Sequence, residues 1–262
     1  MEEFRVEKLS VSVYNDRNSL GKAAADSVEE TLLEGLREKA QLRVVFAAAP
    51  SQNEMLGHLI SKKGIPWQRI TAFHMDEYLG LPGDAPQLFS KYLHDHLFSK
   101  VPFYRVHILD SQADDPGIEC SRYAELLRES EIDLVCMGIG ENGHIAFNDP
   151  PVADFNDPKV VKVVELDNRC RQQQVNDGCF ATFSDVPRSA ITLTVPTLMS
   201  AKVLSIVVPG KFKAEAVRGT LEGEISTACP ATILRIHEYA KLFIDMESSS
   251  LLSRKKNSLV ST

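Results

Sequence analysis

The sequence contains no Cys-x-x-Cys pair and no long hydrophobic run. Its five cysteines are dispersed at positions 120, 136, 170, 179 and 229, and an odd number fits free thiols in a reducing compartment better than a disulfide framework. The N-terminus, Met-Glu-Glu-Phe-Arg, lacks a basic segment followed by an apolar core, and no stretch is long enough to span a bilayer. We therefore expect a soluble, unexported, cytoplasmic protein without a structural zinc ion.

The sequence also lacks an excess of positive charge. It has 29 lysines and arginines against 36 aspartates and glutamates, which gives a formal net charge of −7. Nucleic acids and anionic membranes are bound through clustered basic side chains, so neither is an expected partner. We expect a small-molecule ligand instead, and only the local field of its pocket would have to attract an anion.

What the sequence does contain is an alternation of apolar, β-rich runs with stretches of helical spacing. Helices are predicted from Ser19 to Ala40 and from Ser51 to Lys63, with a buried strand at Leu42–Ala49 between them. Further strands are predicted near Arg69–Phe73, Val106–Leu109, Asp133–Met137, Val160–Val164, Ala190–Thr194, Val203–Val208 and Leu242–Ile244, and further helices near Gln87–Ser99, Gly117–Ser130 and Gly210–Thr220.

This alternation predicts a single α/β domain with a mostly parallel, Rossmann-like sheet and helices on both faces. A chain of 262 residues can bury most of its apolar surface in one such domain. We place the domain at residues 1–246. The segment 247–262, with Ser-Ser-Ser and Arg-Lys-Lys, lacks apolar periodicity and is predicted to be a flexible tail.

The segment most indicative of chemistry follows the predicted strand that ends at Met137. It reads Gly-Ile-Gly-Glu-Asn-Gly-His-Ile-Ala-Phe-Asn-Asp-Pro at 138–150. In open α/β sheets, ligands bind beyond the carboxyl ends of the strands. His144 and Asp149 are close enough in sequence to form a pair in which the carboxylate orients the imidazole for proton transfer. A single such loop is also compatible with an ordinary strand-to-helix turn.

A second loop of the same kind strengthens the interpretation of the first as part of a functional site. The predicted strand Arg69–Phe73 leads into His-Met-Asp-Glu-Tyr-Leu-Gly-Leu-Pro at 74–82, so two carboxylates stand at another strand end. Adjacent residues of extended backbone point to opposite sides. We therefore expect one of Asp76 and Glu77 to face a ligand and the other to organise the loop, with Asp76 as the base.

The chain resembles the glucosamine-6-phosphate deaminase/isomerase family. The resemblance rests on Met-Asp-Glu-Tyr-Leu-Gly-Leu at 75–81, on the segment 138–150 and on Ala190–Lys213 with its apolar strand and lysine, and it runs from about Ser10 to about Asp245. The related 6-phosphogluconolactonases carry Asp-Glu-Arg where this chain has Asp-Glu-Tyr at 76–78 and differ after the Gly-His pair, which argues against a lactonase.

The resemblance implies a reaction that needs no metal and no organic cofactor. His144, oriented by Asp149, would shuttle the ring proton that opens a cyclic amino sugar, and Asp76 would move a proton between C2 and C1 to give an enolamine. Protonation and water addition then release ammonia and leave a ketose phosphate. Asn142 completes the predicted catalytic set as a hydrogen-bonding partner of a sugar hydroxyl, since an amide is not an acid or base at neutral pH. The predicted substrate-binding residues are Ser51, Gln52, Glu77, Gly143, Arg171 and Lys213.

The phosphate-binding segments depart from the family pattern. The family loop Gly-Gly-Thr-Pro or Gly-Gly-Ser-Thr-Pro corresponds here to 47–54, which has no glycine. Ser51 is expected to be the N-cap of the next helix, whose first amides can bind an anion; capping alone is an equally good interpretation. In the His144 loop, many relatives have Asp at the position of Asn142, and Glu is commoner than Asp at 149.

A further departure concerns positive charge. The family's phosphate-binding arginine aligns with Gln174, so either Arg169 or Arg171 substitutes for it or phosphate affinity is reduced. Lys213 matches the family's phosphate lysine, and Lys211 is the competing candidate.

Three functions are compatible with these residues. The first is deamination of glucosamine 6-phosphate to fructose 6-phosphate in amino-sugar catabolism. The second is a deaminase or isomerase for another sugar phosphate, such as galactosamine 6-phosphate, which the altered loop and His74 suggest. The third is a non-catalytic sugar-phosphate binding protein. The resemblance leaves the oligomeric state open, a homo-oligomer included, because relatives range from monomers to hexamers.

Overall fold

A large parallel sheet forms the centre of the protein, for which a computed structural model describes residues 2–253. The strands are β1 (Glu2–Val6), β2 (Leu9–Tyr14), β3 (Leu42–Phe46), β4 (Ile70–His74), β5 (Asp76–Leu79), β6 (Arg105–His107), β7 (Leu134–Met137), β8 (Val161–Glu165), β9 (Ser189–Leu193), β10 (Val203–Val208) and β11 (Ala240–Asp245). Eight of them form one sheet in the order β1-β2-β11-β10-β7-β3-β4-β6. All neighbours in it pair in parallel except β1 and β2, which form an antiparallel hairpin.

Helices cover both faces of this sheet, as the alternation in the sequence predicts. They are α1 (Arg17–Glu38), α2 (Asn53–Ile60), α3 (Phe89–Leu93), α4 (Pro116–Arg128), α5 (Asn168–Asn176), α6 (Val195–Met199) and α7 (Ala214–Glu222). One core contains the apolar side chains of α4 and α7, including Tyr123 and Val217, and a second core contains those of α1 and α2, including Leu32 and Leu56. Strand β7 is buried along its whole length, which is why its sequence is continuously apolar.

A second, small sheet was not predicted. Strands β5, β9 and β8 pair antiparallel, with Asp76 opposite Thr192 and Val161 opposite Leu193. The expectation that 74–82 is a loop is therefore wrong for β5, and the predicted strands near 160–164 and 190–194 belong to this sheet rather than the main one. The reason is that β5 carries two buried carboxylates, Asp76 and Glu77, in place of the apolar residues by which strands are recognised.

Helix α5 and the hairpin β1–β2 were also not predicted from the sequence. Helix α5 has the sequence NRCRQQQVN, whose polar residues give little apolar periodicity; Asp167 caps it by accepting a hydrogen bond from the backbone N–H of Arg169 at 2.9 Å. The predicted helix at 87–99 is instead α3 followed by a wider π-type turn at His94–Phe98.

The end of the described chain is held by hydrogen bonds. Residues 247–253 form turns in which Ser249 donates its backbone N–H to the carbonyl of Asp245, and Ser253 is hydrogen-bonded to Glu222. The domain boundary and the flexible tail stay predictions, and residues 254–262 of that segment lie outside the described ones. Among residues 2–253, no helix has the length and apolar character that crossing a bilayer requires.

Candidate active site

A cavity of about 340 Å³ opens at the carboxyl ends of the parallel strands. Its wall includes Ser51 after β3, Asp76 after β4, His144 after β7 and Lys213 after β10. This is the expected place for a ligand in an open α/β sheet, and the volume suits a small molecule. The two predicted loops thus meet at one cavity. A larger and more open groove lies between α1 and the β1–β2 hairpin, but it contains none of the predicted site residues.

Asp76 is a nearly buried carboxylate in the cavity wall, with 6% of its surface exposed. It accepts no hydrogen bond from a described side chain or backbone group. Burial raises the pKa of Asp76 well above its usual range, and the neighbouring charge of Glu77 adds to the increase. A carboxylate with a raised pKa is a stronger base than a solvated one, so Asp76 is suited to proton abstraction.

Glu77 does not line the cavity, so the structure does not bring it to the position that its predicted role in substrate binding requires. Its carboxylate accepts hydrogen bonds from the backbone N–H groups of Tyr78, Phe89 and Ser90 at 2.8–2.9 Å, and it lies 3.6 Å from Nε2 of His74. Burial tends to raise the pKa of Glu77, but the contact with His74 and the backbone donors outweigh burial and lower it. Glu77 therefore organises the segment that joins β5 to α3.

His144 and Asp149 form a buried pair beside the cavity. Nδ1 of His144 lies 2.9 Å from Oδ1 of Asp149, although the ring N–H is not well directed at that oxygen. Burial tends to raise the pKa of Asp149, but His144 and a hydrogen bond from Asn142 outweigh it and lower the pKa. Asp149 is thus an ionised group that can orient and stabilise the imidazole.

Asn142 and Gly143 support the loop that carries His144 but do not line the cavity. The Asn142 side chain donates to Asp149 at 2.9 Å and accepts the backbone N–H of His144 at 3.1 Å. Gly143 has a φ of +82°, and an added Cβ would lie 2.4 Å from Sγ of Cys229. The structure does not bring these two residues to the cavity wall, where their predicted roles would place them.

Ser51 and Lys213, the residues predicted to contact a phosphate, both lie in the cavity wall. Ser51 lies within a 3₁₀ turn at Pro50–Gln52 and makes no capping hydrogen bond, so the predicted N-cap is wrong. Gln52 is fully buried; its Nε2 donates to Oγ of Ser51 at 3.1 Å and to the carbonyl of Val207 at 3.3 Å. Gln52 therefore supports Ser51 rather than lining the cavity itself.

Of the two candidate lysines, Lys213 lines the cavity, whereas Lys211 lies over the ring of Phe212. Burial lowers the pKa of Lys213, and nearby Asp177 and Glu141 oppose this effect. A desolvated ammonium gains more from an anionic partner than a solvated one does. Lys213 is therefore the stronger candidate for an anion contact.

Neither candidate arginine reaches the cavity. Arg171 donates to the carbonyls of Phe183 and Val186 and stacks on the Phe183 ring, so the structure does not bring it to the position predicted for substrate binding. Arg169 is exposed, with Glu215 at 4.0 Å. Gln174 does line the cavity, and its side chain is neutral.

Several lining residues escaped the sequence interpretation. Tyr92, Gln173, Asp177 and Cys179 belong to the wall, but they lie on helices or turns that have no recognisable motif. Their contribution depends on the folding of α3 and α5 over the strand ends.

Cys170 is a further unpredicted neighbour of the site. His144, Asp149 and Cys170 place metal-ligating atoms within 4.8 Å of one another. A metal would require the Cys170 thiolate, and burial together with the adjacent Asp149 raises the pKa of Cys170 well above its usual range. The neutral thiol is instead positioned against the carboxylate that faces His144.

Together, these groups can move protons at two positions of one bound molecule. Asp76 is a base in the wall, and the His144–Asp149 pair can exchange a proton in the same cavity.

Comparison with known proteins agrees with this arrangement. The sequence model of the family described as glucosamine-6-phosphate isomerases/6-phosphogluconolactonase matches residues 15–243.

Curated relatives and solved structures match most of the chain. A glucosamine-6-phosphate deaminase of Lactobacillus delbrueckii subsp. bulgaricus is 30% identical over 244 residues, 93% of this chain and 100% of that protein. The deaminase of Exiguobacterium sibiricum is 38% identical over 192 residues, 73% of this chain and 74% of that protein.

Among solved structures, a monomeric glucosamine-6-phosphate deaminase superposes with a TM-score of 0.84 at 32% identity, covering 92% of this chain and 99% of that one. A 6-phosphogluconolactonase of Thermotoga maritima superposes with a TM-score of 0.74 at 23% identity, covering 91% of this chain and 100% of that one, and this likeness concerns the fold alone. The chain belongs to the family of glucosamine-6-phosphate isomerases and 6-phosphogluconolactonases.

Proposed function

We propose that the protein is a glucosamine-6-phosphate deaminase, which converts its substrate and water to fructose 6-phosphate and ammonia. The observation that carries the proposal is the meeting of Asp76, the His144–Asp149 pair and Lys213 at one cavity. The deaminase relatives at 30–38% identity support it. All four groups come from one chain, so the proposal does not depend on a homo-oligomer.

Each group has a distinct role in the proposed mechanism. His144 moves the proton between the ring oxygen and the anomeric hydroxyl, which opens the sugar, and Asp149 stabilises the charged imidazole. Asp76 then takes the C2 proton while the C1 carbonyl oxygen is protonated, which forms the enolamine. Return of the proton from Asp76 to C1 converts the enolamine to an iminium at C2. Water adds at C2, a proton passes to the nitrogen, and the C–N bond breaks to release ammonia and leave the ketose. Lys213, with Ser51 nearby, binds the phosphate.

Lactonase activity is disfavoured by the residue after Glu77. Lactonase-type sequences carry an arginine there, and this chain has Tyr78, whose ring packs among Phe89, Phe147 and Phe180. No positive charge is therefore available at this position.

A substrate panel tests the proposal. Ammonia release is measured with glucosamine 6-phosphate, galactosamine 6-phosphate and unphosphorylated glucosamine, together with the ketose that each would give, which is fructose 6-phosphate for the first. Acid release is measured with 6-phosphogluconolactone. We expect turnover of glucosamine 6-phosphate, and Asp76→Asn is expected to lower it by a factor of about 10²–10⁴ while substrate still binds. Preference for the galactosamine ester would assign the alternative deaminase, and binding without turnover would assign a binding protein.

The role of His144 needs a separate measurement. We expect His144→Gln to slow reaction from the closed ring more than reaction from an open-chain analogue, because the residue acts before the ring is open. Equal losses on both would contradict the ring-opening role.

A further inference from the structure

The phosphate end of the cavity has less positive charge than its proposed ligand requires. A phosphate monoester carries about −1.5 to −2 charges at pH 7. Among the described lining residues Lys213 is the one lysine or arginine, and the same wall contains the carboxylate of Asp177. A second cation would have to come from outside the wall.

Arg17 is an arginine that contacts a residue of the cavity wall. It is the first residue of α1, at the same edge of the sheet as the cavity. Its Nη2 donates to the carbonyl of Pro50 at 3.0 Å, and Pro50 and Ser51 both line the cavity. Arg17 is thus one hydrogen bond away from the turn that carries the predicted phosphate contact.

The other side of Arg17 faces the turn that carries Lys213. Nη1 of Arg17 lies 3.9 Å from the point that a Cβ on Gly210 would occupy, and Lys213 donates its backbone N–H to the Gly210 carbonyl at 3.1 Å. Nη1 donates no hydrogen bond to any residue from 2 to 253. With 42% of its side chain exposed, Arg17 has room to direct this group at a ligand.

Carboxylates restrain this positive charge. Glu54 accepts from Nε at 3.0 Å and from Nη2 at 3.1 Å, and these bonds, with weaker contributions from Asp245 and Asp177, raise the pKa of Arg17. Asp177 also acts on Lys213. The charge of Asp177 thus acts on both cations.

We propose that Arg17 supplies the second positive charge for the substrate's phosphate, with Nη1 directed at a phosphate oxygen from the rim between Pro50 and Gly210. The sugar phosphate as ligand rests on the proposed function. The charge pairing itself applies to any phosphate that enters this end of the cavity, and Glu54 weakens it by competing for the guanidinium.

The test compares variants of the full-length protein by calorimetry with three probes: inorganic phosphate, glucosamine 6-phosphate and unphosphorylated glucosamine. Arg17→Gln is expected to weaken binding of both phosphate-bearing probes about tenfold, as for loss of one charged hydrogen bond, and to leave glucosamine binding unchanged. Arg17→Lys keeps the charge and should retain part of the affinity. The control Arg169→Gln removes an exposed arginine outside the cavity and should change none of them.

The variant Glu54→Gln distinguishes a role of Arg17 as a positive charge for phosphate from a purely structural role of the Arg17–Glu54 pair. This variant removes the acid that holds Arg17, so the proposal predicts tighter phosphate binding, whereas a purely structural role of the Arg17–Glu54 pair predicts weaker binding. Weaker phosphate binding by Glu54→Gln, or equal losses on glucosamine and its phosphate by Arg17→Gln, would overturn the role of Arg17. If the wild type binds inorganic phosphate but not glucosamine 6-phosphate, the proposed function fails. The effect of Arg17→Gln on the binding of inorganic phosphate then still tests the role of Arg17. If the wild type binds neither, both proposals fail.

Discussion

At the scale of single residues, the separation of Asp76 from Glu77 is the most consequential feature. The two carboxylates are adjacent, yet one is in the cavity wall without hydrogen-bond donors and the other is surrounded by three backbone donors. Their pKa values move in opposite directions, up for Asp76 and down for Glu77. Strand geometry alone produces this division, because successive side chains of β5 point to opposite sides.

The raised pKa of Asp76 predicts the pH dependence of activity. Asp76 must be ionised to accept a proton, so kcat/KM should fall as the pH drops through its folded-state pKa, which lies above the usual value of about 4. The measurement is the pH profile of kcat/KM for glucosamine 6-phosphate. The same acidic limb should persist in His144→Gln, and a limb at about pH 4 would show that the group being titrated is not Asp76.

Asp149 illustrates how a shorter side chain can serve at a position where relatives carry glutamate. The Nδ1–Oδ1 distance of 2.9 Å to His144 requires no longer reach. Asn142 and the backbone N–H of Asp167 hold the two carboxylate oxygens. These hydrogen bonds therefore hold Asp149 at a short distance from His144 without a longer side chain.

At the scale of elements, the turn after β7 depends on close packing of the His144 ring against the backbone. A Cβ on Gly140 would lie 2.1–2.4 Å from ring atoms of His144. We expect Gly140→Ala to displace the ring and lower kcat by about tenfold or more, because correct geometry contributes strongly to proton transfer. Far-ultraviolet circular dichroism should remain unchanged.

Gly57→Ala is the matched control for this prediction. Gly57 is inside α2, and an added Cβ meets nothing within 4 Å. The variant should keep full activity and gain about 0.5–1 kcal/mol of stability from the higher helix propensity of alanine. An active Gly140→Ala protein would contradict the packing argument.

Glu77 links two elements, and its replacement tests that link. Glu77→Gln loses the negative charge that accepts backbone donors at the start of α3. We expect a loss of about 1–3 kcal/mol in the free energy of unfolding, measured in urea, together with a raised KM, because Pro86, Gln87 and Phe89 of this region line the cavity. A variant with unchanged stability and KM would exclude an organising role for Glu77.

At the scale of the whole molecule, Asp76 should make stability depend on pH. Its folded-state pKa is raised, so the folded protein binds the proton more tightly than the unfolded chain, and this contribution to stability is lost as the pH rises through the raised pKa. At pH 7 the buried charge is a cost that Asp76→Asn removes. We expect the free energy of unfolding of this variant to exceed that of the wild type by about 1–3 kcal/mol at pH 7. The difference should shrink towards pH 4.

Asp26→Asn should behave in the opposite way. Hydrogen bonds from Lys22 and Lys62 lower the pKa of Asp26, so its contribution is present at neutral pH and is lost as the pH falls. Comparing the two variants across the same pH series separates the effect of burying a carboxylate from a general effect of removing one. If both substitutions changed the free energy of unfolding at pH 7 in the same direction, the raised pKa assigned to Asp76 would be contradicted.

The sequence by itself determined the class of fold and the two loops that carry the chemistry. Buried parallel strands are continuously apolar because both of their faces are covered, so β3, β7 and β10 could be recognised. Asp76, His144 and Asp149 stand directly after such strands or in the adjoining loop, and the carboxyl ends of parallel strands meet at one edge. Their convergence was therefore predictable from local pattern and general topology.

Only the tertiary structure decided which neighbouring side chains share the cavity. Gln174 and Asp177 reach it through the folding of a segment with little local pattern, while Arg171 turns to the carbonyls of Phe183 and Val186. Pairing of β5 with β9 likewise joins residues more than a hundred positions apart. Contacts of this kind depend on the whole arrangement of the chain, whereas strand burial and loop position are imprinted in a few consecutive residues.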